Sequence, residues 1–448
     1  MHILSKRRTW AVLAATVATL VGSSGLGASA QVVGVADLAG RWADPFEEGG
    51  AGVSRCQPAE DDARLQVCKP TAQAIAVLPD GRLVYYNGLE SQENSGPSTV
   101  LSASPTARDS PTRLLDLRSS TPQFVTPEPE RPGQKNPNLH PGHKEMDDPV
   151  GMLGVPGRPG DGFVGSIWGR LGLPEHSPTS TPDDPADNDG DMFCADLTTL
   201  PDGRVLVVGG SDWYNQPSVM DRNAGDPVDI GLAELEGLRT SQLFDWRTNT
   251  WTPGGVAKYG RWYPGVVGLA DGKVLAASGA TQIVSNTQLS QVRRTETYDP
   301  ATNTWTENYT GPESESSLPL QPRLFLAPNG KVFYGGVGQM WGPVGEAVDE
   351  ATFGLQQYFD PATKRWEVIG LDPVGGLGRN GAFQVPLPMT PPYEEVRLLT
   401  FGGTLGPPPS SWIATPLATL TTLHQDGRVV NRMTGTLNRA RWFGSGVV

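Results

Sequence analysis

The 448-residue chain carries 48 acidic against 35 basic side chains, a formal net charge of −13. An acidic surface argues against nucleic acid and anionic membrane as partners. Past the first thirty residues, no segment is long and apolar enough to read as a membrane-crossing helix.

Lys6, Arg7 and Arg8 precede an apolar run from Trp10 to about Val21, and Ala28-Ser29-Ala30 supplies small residues before Gln31. Residues 1–30 therefore read as a secretory signal peptide, and the rest as a secreted, extracellular protein. Without the three leader cations the count falls from 35 to 32 basic against 48 acidic, a net of −16. Cys56 and Cys68, twelve residues apart, are expected to form a disulfide in that compartment. Cys194 is then left over.

A first phrase opens at Pro79-Asp80-Gly81-Arg82-Leu83-Val84 and recurs at Pro201-Asp202-Gly203-Arg204-Val205-Leu206-Val207-Val208-Gly209-Gly210, at Asp271-Gly272-Lys273-Val274-Leu275 and at Pro328-Asn329-Gly330-Lys331-Val332. Val396 to Gly403 keeps the strand and its glycines, and Gln425-Asp426-Gly427-Arg428-Val429-Val430 is a weak copy. Asp-Gly or Asn-Gly between apolar runs gives the positive φ angles of a tight hairpin. A second phrase interleaves: Phe244-Asp245-Trp246-Arg247-Thr248-Asn249-Thr250-Trp251, then Tyr298-Asp299-Pro300-Ala301-Thr302-Asn303-Thr304-Trp305, then Phe359-Asp360-Pro361-Ala362-Thr363-Lys364-Arg365-Trp366. It reads as strand, turn, strand, with a closing tryptophan large enough to pack between neighbouring units. The spacings of 54 and 61 residues between these tryptophans match the period of about 50 of kelch β-propeller blades.

The chain is thus expected to be all-β, with residues 31–448 forming one kelch-type β-propeller of about six blade units. A Pro/Gly/Asp-rich loop region at about 102–191 holds two plausible strands, near 114–117 and 163–167. Arg439 to Val448 reads as the opening strand of another unit, so the chain is expected to be a truncated reading of a longer protein. Asn308-Tyr309-Thr310 is a glycosylation sequon expected on a loop.

Two chemical motifs precede repeat phrases: Met192-Phe193-Cys194 before Pro201-Asp202-Gly203, and Arg261-Trp262-Tyr263-Pro264 before Asp271-Gly272. Adjacent blades would place Cys194 and Tyr263 at analogous points near one end of the central channel, with Arg261 and Trp262 as candidates to shape its mouth. These motifs resemble those of the copper radical oxidases, the galactose oxidase and glyoxal oxidase family, with the tyrosine motif nearer the glyoxal oxidase form. The resemblance implies a seven-bladed propeller followed by a C-terminal β-sandwich, which this chain is expected to lack. It implies a thioether joining Cys194 to Tyr263, the joined ring binding Cu(II) and holding a protein radical, with Trp341 as an aromatic neighbour of that site. It implies oxidation of a small aldehyde or primary alcohol, free or on a carbohydrate, with O2 reduced to H2O2.

The chain departs from the family pattern in having no Tyr-His dipeptide. Of its five histidines, His2 lies in the leader, His140, His143 and His176 in the loop region, and His424 beside a hairpin. None replaces the family's axial tyrosine and two histidine ligands, so this fragment is expected to be inactive alone. The alternative is a non-catalytic kelch propeller serving carbohydrate binding or adhesion, which has no need of a thiol–phenol pair.

Overall fold

In the computed structural model the described residues are 46, 48, 56–58, 66–68, 72, 74–86, 107–108, 112–119, 121–127, 144–145, 192, 194–215, 219–220, 227–228, 233–284, 288–339, 352–374, 379–405 and 413–442. The signal segment 1–30, the 163–167 strand and Trp341 lie outside them. The chain divides into two units at Glu47/Glu48, and the fold described here is that of the second.

The described residues are all-β, with six four-stranded sheets and no α-helix. Five of these sheets repeat one plan. The first comprises Ala74–Val77, Leu83–Tyr86, Thr112–Asp116 and Gln123–Val125, and the second Asp196–Thr199, Val205–Val208, Ser241–Asp245 and Thr250–Pro253. The third comprises Gly265–Gly268, Val274–Ala277, Glu296–Asp299 and Thr304–Glu307; the fourth Leu324–Leu326, Val332–Tyr334, Leu355–Asp360 and Arg365–Leu371; the fifth Phe383–Pro386, Glu395–Phe401, Leu417–His424 and Val429–Thr436. Neighbours within each are antiparallel.

In the first four sheets the Asp-Gly or Asn-Gly phrase joins strands one and two, with Gly81, Gly203, Gly272 and Gly330 at φ 79–86°, as such a hairpin requires. The fifth departs from this. Asp426-Gly427 joins its third and fourth strands, so the weak copy at 425–430 belongs to the same sheet as 396–403 and starts no unit of its own.

The second strands are apolar on both faces and fully buried, notably Val205–Val208 and Val274–Ala277, because each sheet is covered on two sides. Each closing tryptophan wedges against the preceding sheet. Trp251 packs with Phe244, Val205 and Val207 against Ala76, Val84 and Leu114, and its Nε1 donates to Thr112 at 3.3 Å. Trp305 joins Tyr298 and Val274 against Leu206 and Leu243, donating to Ser241 at 3.2 Å. Trp366 repeats the wedge against Leu275 and Ala277. The first strands of sheets one, two, three and four lie side by side in that order. Sheets packed face to face in series with their first strands together are consistent with a propeller.

Two further sheets are built mostly from the connections between strands two and three, with Lys144–Glu145 and Arg379–Asn380 added from the segments between sheets. One runs in the order Gln288–Gln291, Ala280–Val284, Ala233–Gly237, Ser211–Asn215, Lys144–Glu145; the other comprises Val337–Gly338, Arg379–Asn380, Thr404–Leu405 and Ile413–Ala414. Lys144–Glu145 therefore adds a strand where the sequence suggested only loop. Both sheets lie at the end of the molecule where the first strands begin. Gly209 anchors this end: a Cβ there would sit 2.1 Å from the Arg261 carbonyl, so only glycine admits the crossing chain.

Candidate functional site

In sheets two to five the turn entering the first strand places one residue in left-handed backbone: Cys194 at φ 60°, Tyr263 at 57°, Gln321 at 47° and Gly381 at 60°. For a non-glycine residue this costs roughly 1–2 kcal/mol. Because Gln321 and Gly381 share it, the conformation belongs to the repeat rather than to any one chemistry. The turns also brace one another. Tyr263 N donates to Cys194 O at 2.9 Å, and Gln321 N donates to Tyr263 O at 2.7 Å. Three neighbouring sheets thereby present Cys194, Tyr263 and Gln321 in a row.

The structure brings the thiol and the phenol together: the side chains of Cys194 and Tyr263 are hydrogen-bonded. Burial pushes the Tyr263 hydroxyl well above the usual tyrosine range, and the adjacent Cys194 sulfur pushes it further. The phenol is therefore neutral at ordinary pH. Cys194 is buried, while Tyr263 keeps part of its surface open. The Trp262 ring meets the Tyr263 ring edge-on, centroids 4.5 Å apart at 60°, a favourable quadrupolar arrangement.

Arg261 does not shape a channel mouth. It is fully buried and tied inward, Nη1 donating to Ser278 O at 2.6 Å and Nη2 to Glu296 Oε2 at 2.8 Å. Arg379 occupies the equivalent place in the fifth sheet, with Nε donating to Gly402 O at 2.7 Å and Asp372 3.5 Å away. Trp262 is likewise fully buried. These two motif residues build the turn that holds Tyr263.

Three residues here carry no motif. Tyr86, at the end of the first sheet's second strand, is fully buried and donates to Ala195 O at 3.3 Å. Burial, then the nearby Asp196 and Cys194, raise its hydroxyl well above the usual range. Asp196 accepts from the backbone N–H of Leu197 at 2.9 Å and of Val266 at 2.8 Å. Burial still raises its carboxyl above the ordinary value, and Arg323 opposes that rise. Asp196 and Arg323 become legible only through the repeat, each two residues beyond the left-handed position. Tyr86 gives no signal beyond closing an apolar strand.

The other expected sites divide as follows. The backbone register pairs Cys56 directly with Cys68 in two short antiparallel strands, Cys56–Pro58 and Gln66–Cys68. Trp341, His140, His143 and His176 lie outside the described residues. His424 ends the fifth sheet's third strand, 3.9 Å from Glu395, far along the sheet from the turn. Among the described residues no group of three His, Cys, Asp or Glu could hold a metal. Copper would therefore find one donor in the pair, the Tyr263 oxygen, and the described residues do not by themselves make a copper site. Asn308 is buried, its Nδ2 donating to Thr295 at 3.1 Å and Thr297 at 2.9 Å, so the sequon asparagine is not presented on an open loop.

No protein-family model matches the chain, and no curated protein matches it. Among solved structures it is similar to a novel fungal alcohol oxidase with catalytic diversity among the AA5 family, in complex with copper, at 14% identity and TM-score 0.47. That likeness covers 84% of this chain and 56% of the other, so the chain spans little over half of that protein's length. It is also similar to the structure of YjhT, at 11% identity and TM-score 0.39, covering 75% of this chain and 80% of that one. Likenesses this distant leave the chemistry to the residues themselves.

Proposed function

We propose that Cys194 and Tyr263 are the radical-storing half of a secreted copper-radical oxidase carried on a kelch-type propeller. Its substrate is a small aldehyde or primary alcohol, and O2 is its electron acceptor. The observation that carries this reading is the hydrogen bond between the buried thiol and the phenol, on turns locked together by the Tyr263 N to Cys194 O bond. The thioether would join that sulfur to the ring carbon next to the hydroxyl. An ortho sulfur donates electron density into the ring and lowers the potential at which it gives up an electron. The edge-on Trp262 shields one side of such a radical, while Tyr263 stays partly open to a substrate. Copper, when bound, supplies the second one-electron couple that a two-electron oxidation needs. The protein's part is to hold the Tyr263 oxygen as a ligand, and the described residues leave the remaining donors to be supplied from elsewhere.

Forming the thioether removes the thiol hydrogen and one ring hydrogen, and the two electrons reduce O2 to H2O2. The test is peptide mass spectrometry of the full chain after exposure to Cu(II) and O2. A peptide joining Cys194 to Tyr263, lighter than the sum by two hydrogens and resistant to thiol reductants, is expected. Tyr263→Phe should abolish it. Intact, separate peptides would remove the oxidase reading and leave a propeller that serves binding or adhesion.

A further inference from the structure

Among the described residues the buried arginines Arg113, Arg261 and Arg379 each donate to several protein acceptors. Arg261 donates from Nη1 and Nη2 to Ser278 O, Arg294 O and Glu296. Arg379 is satisfied by Gly402 O, Leu417 O and Thr419. Arg323 differs. It lies in the turn after Gln321, immediately before Leu324–Leu326, and its backbone N–H donates to Val337 O at 2.9 Å. Among the described residues its guanidinium has no carboxylate within ion-pair distance and no hydrogen-bond acceptor. The charge nearest in effect is Asp196, whose two oxygens already accept the Leu197 and Val266 N–H groups. Arg323 is half-buried, so its donors are partly withdrawn from water and make no bond within the described protein. Arg261 and Arg379 direct most of their donors inward, whereas the Arg323 fork stays open to a ligand.

Position supports the same conclusion. Two residues past the left-handed row of Cys194, Tyr263 and Gln321 stand Asp196, Gly265 and Arg323. Gly265 brings no side chain to the middle of that second row, because a Cβ there would lie 2.5 Å from Pro322 O. Gln321 lies beside Tyr263 in the first row, its Oε1 accepting from Gln339 Nε2 at 2.6 Å. That bond turns the Gln321 Nε2 donor away from Gln339. An amide donor and a guanidinium fork thus stand on one turn, adjacent to the partly open Tyr263.

From this geometry we infer that Arg323, with Gln321, forms an anion subsite beside the Cys194–Tyr263 pair that takes a small carboxylate-bearing molecule. The planar fork matches two carboxylate oxygens at once, and the Gln321 amide donates to an oxygen on the neighbouring carbon. Naming that molecule as substrate or product rests on the oxidase reading; the binding itself does not.

The probe is oxalate, titrated calorimetrically into the copper-free chain, with the neutral isostere oxamide as control. Oxalate is expected to bind and oxamide not. Arg323→Gln should weaken oxalate by about tenfold or more, the scale of a charge-assisted contact, Arg323→Lys should retain part of the affinity, and Gln321→Ala should weaken it by a smaller factor. A second readout needs no variant: phenylglyoxal modification of Arg323, located by peptide mapping, should be slowed by oxalate and not by oxamide. Equal oxalate affinity in wild type and Arg323→Gln, no binding at all, or an Arg323 that oxalate fails to protect would each overturn the subsite. These results are independent of whether the thioether forms, so either proposal can fail without the other.

Discussion

Glu296 holds Tyr263 in place without touching it. Its Oε2 accepts from Arg261 at 2.8 Å and its Oε1 from the Lys258 N–H at 2.6 Å, with both ionic side chains 1% exposed. Removing one partner of such a pair strands a charge in the interior, so Glu296→Ala should cost about 3–5 kcal/mol. Urea unfolding would read this as a shifted midpoint at constant slope, and Glu296→Gln, which keeps an acceptor, should cost less. A drop in thioether yield beyond the unfolded fraction would show that the turn, and not only the fold, depends on the pair. Cys194 and Tyr263 were legible in the sequence because each is a chemically unusual residue at a repeated position. Arg261 was legible as a motif member but not in its role, since burial and partners are not written locally. Asn308 misled for the same reason: the sequon is local, whereas its Thr295 and Thr297 partners come from a neighbouring strand.

Each closing tryptophan joins two sheets, so an element's stability lies largely in its neighbour. Trp251 is 3% exposed and packs on residues of both the first and second sheets. Trp251→Ala should therefore cost about 3–5 kcal/mol, whereas Met433→Ala, on the exposed fourth strand of the fifth sheet, should stay within about 0.5 kcal/mol. Paired urea titrations would check this; a similar cost at both positions would mean the wedge is not what couples the sheets. The hairpins and wedges were readable because tight turns and large aromatics are local demands. The fifth sheet's first hairpin, running from Leu387 to Glu394 without Asp-Gly, escaped that logic. So did the two sheets at the Cys194 end, whose strands are paired through backbone bonds between distant connections and carry little alternation of their own. The Cys56 and Cys68 register suits a bridge, since paired antiparallel Cα atoms lie about 4.5–5.5 Å apart, inside the range a disulfide spans. Non-reducing peptide mapping should find Cys56 joined to Cys68 and Cys194 in neither partner.

Across the whole molecule, carboxyl groups shifted in opposite senses set the response to acid. Glu307 is held down to about 2, first by the Lys258 ammonium and Tyr259 hydroxyl, with Arg294 adding to them; Asp116 is held down to about 2 by Arg118. Asp299 and Asp426 are lowered by backbone N–H donors and neighbouring cations. Asp196 and Asp372 run the other way, raised by burial. A carboxyl whose folded value is depressed stabilises fully above its unfolded value and loses that contribution as pH falls towards the folded one. For Glu307 the window runs from 4.5 down to about 2. A raised carboxyl instead favours the folded state more as pH falls, so Asp196 and Asp372 soften the decline without reversing it. Stability should therefore fall on acidification below about pH 4.5, steepest where the unfolded carboxyls are already protonated while Glu307 and Asp116 in the fold are still ionised. Glu307→Gln keeps hydrogen bonds to Lys258, Tyr259 and Arg294 possible but cannot titrate. Urea midpoints measured from pH 5 downwards, to about pH 2, should fall less steeply in that variant than in wild type. Parallel slopes would mean that the Lys258–Glu307–Arg294 cluster is solvated ornament on the third sheet rather than a coupling between its strands.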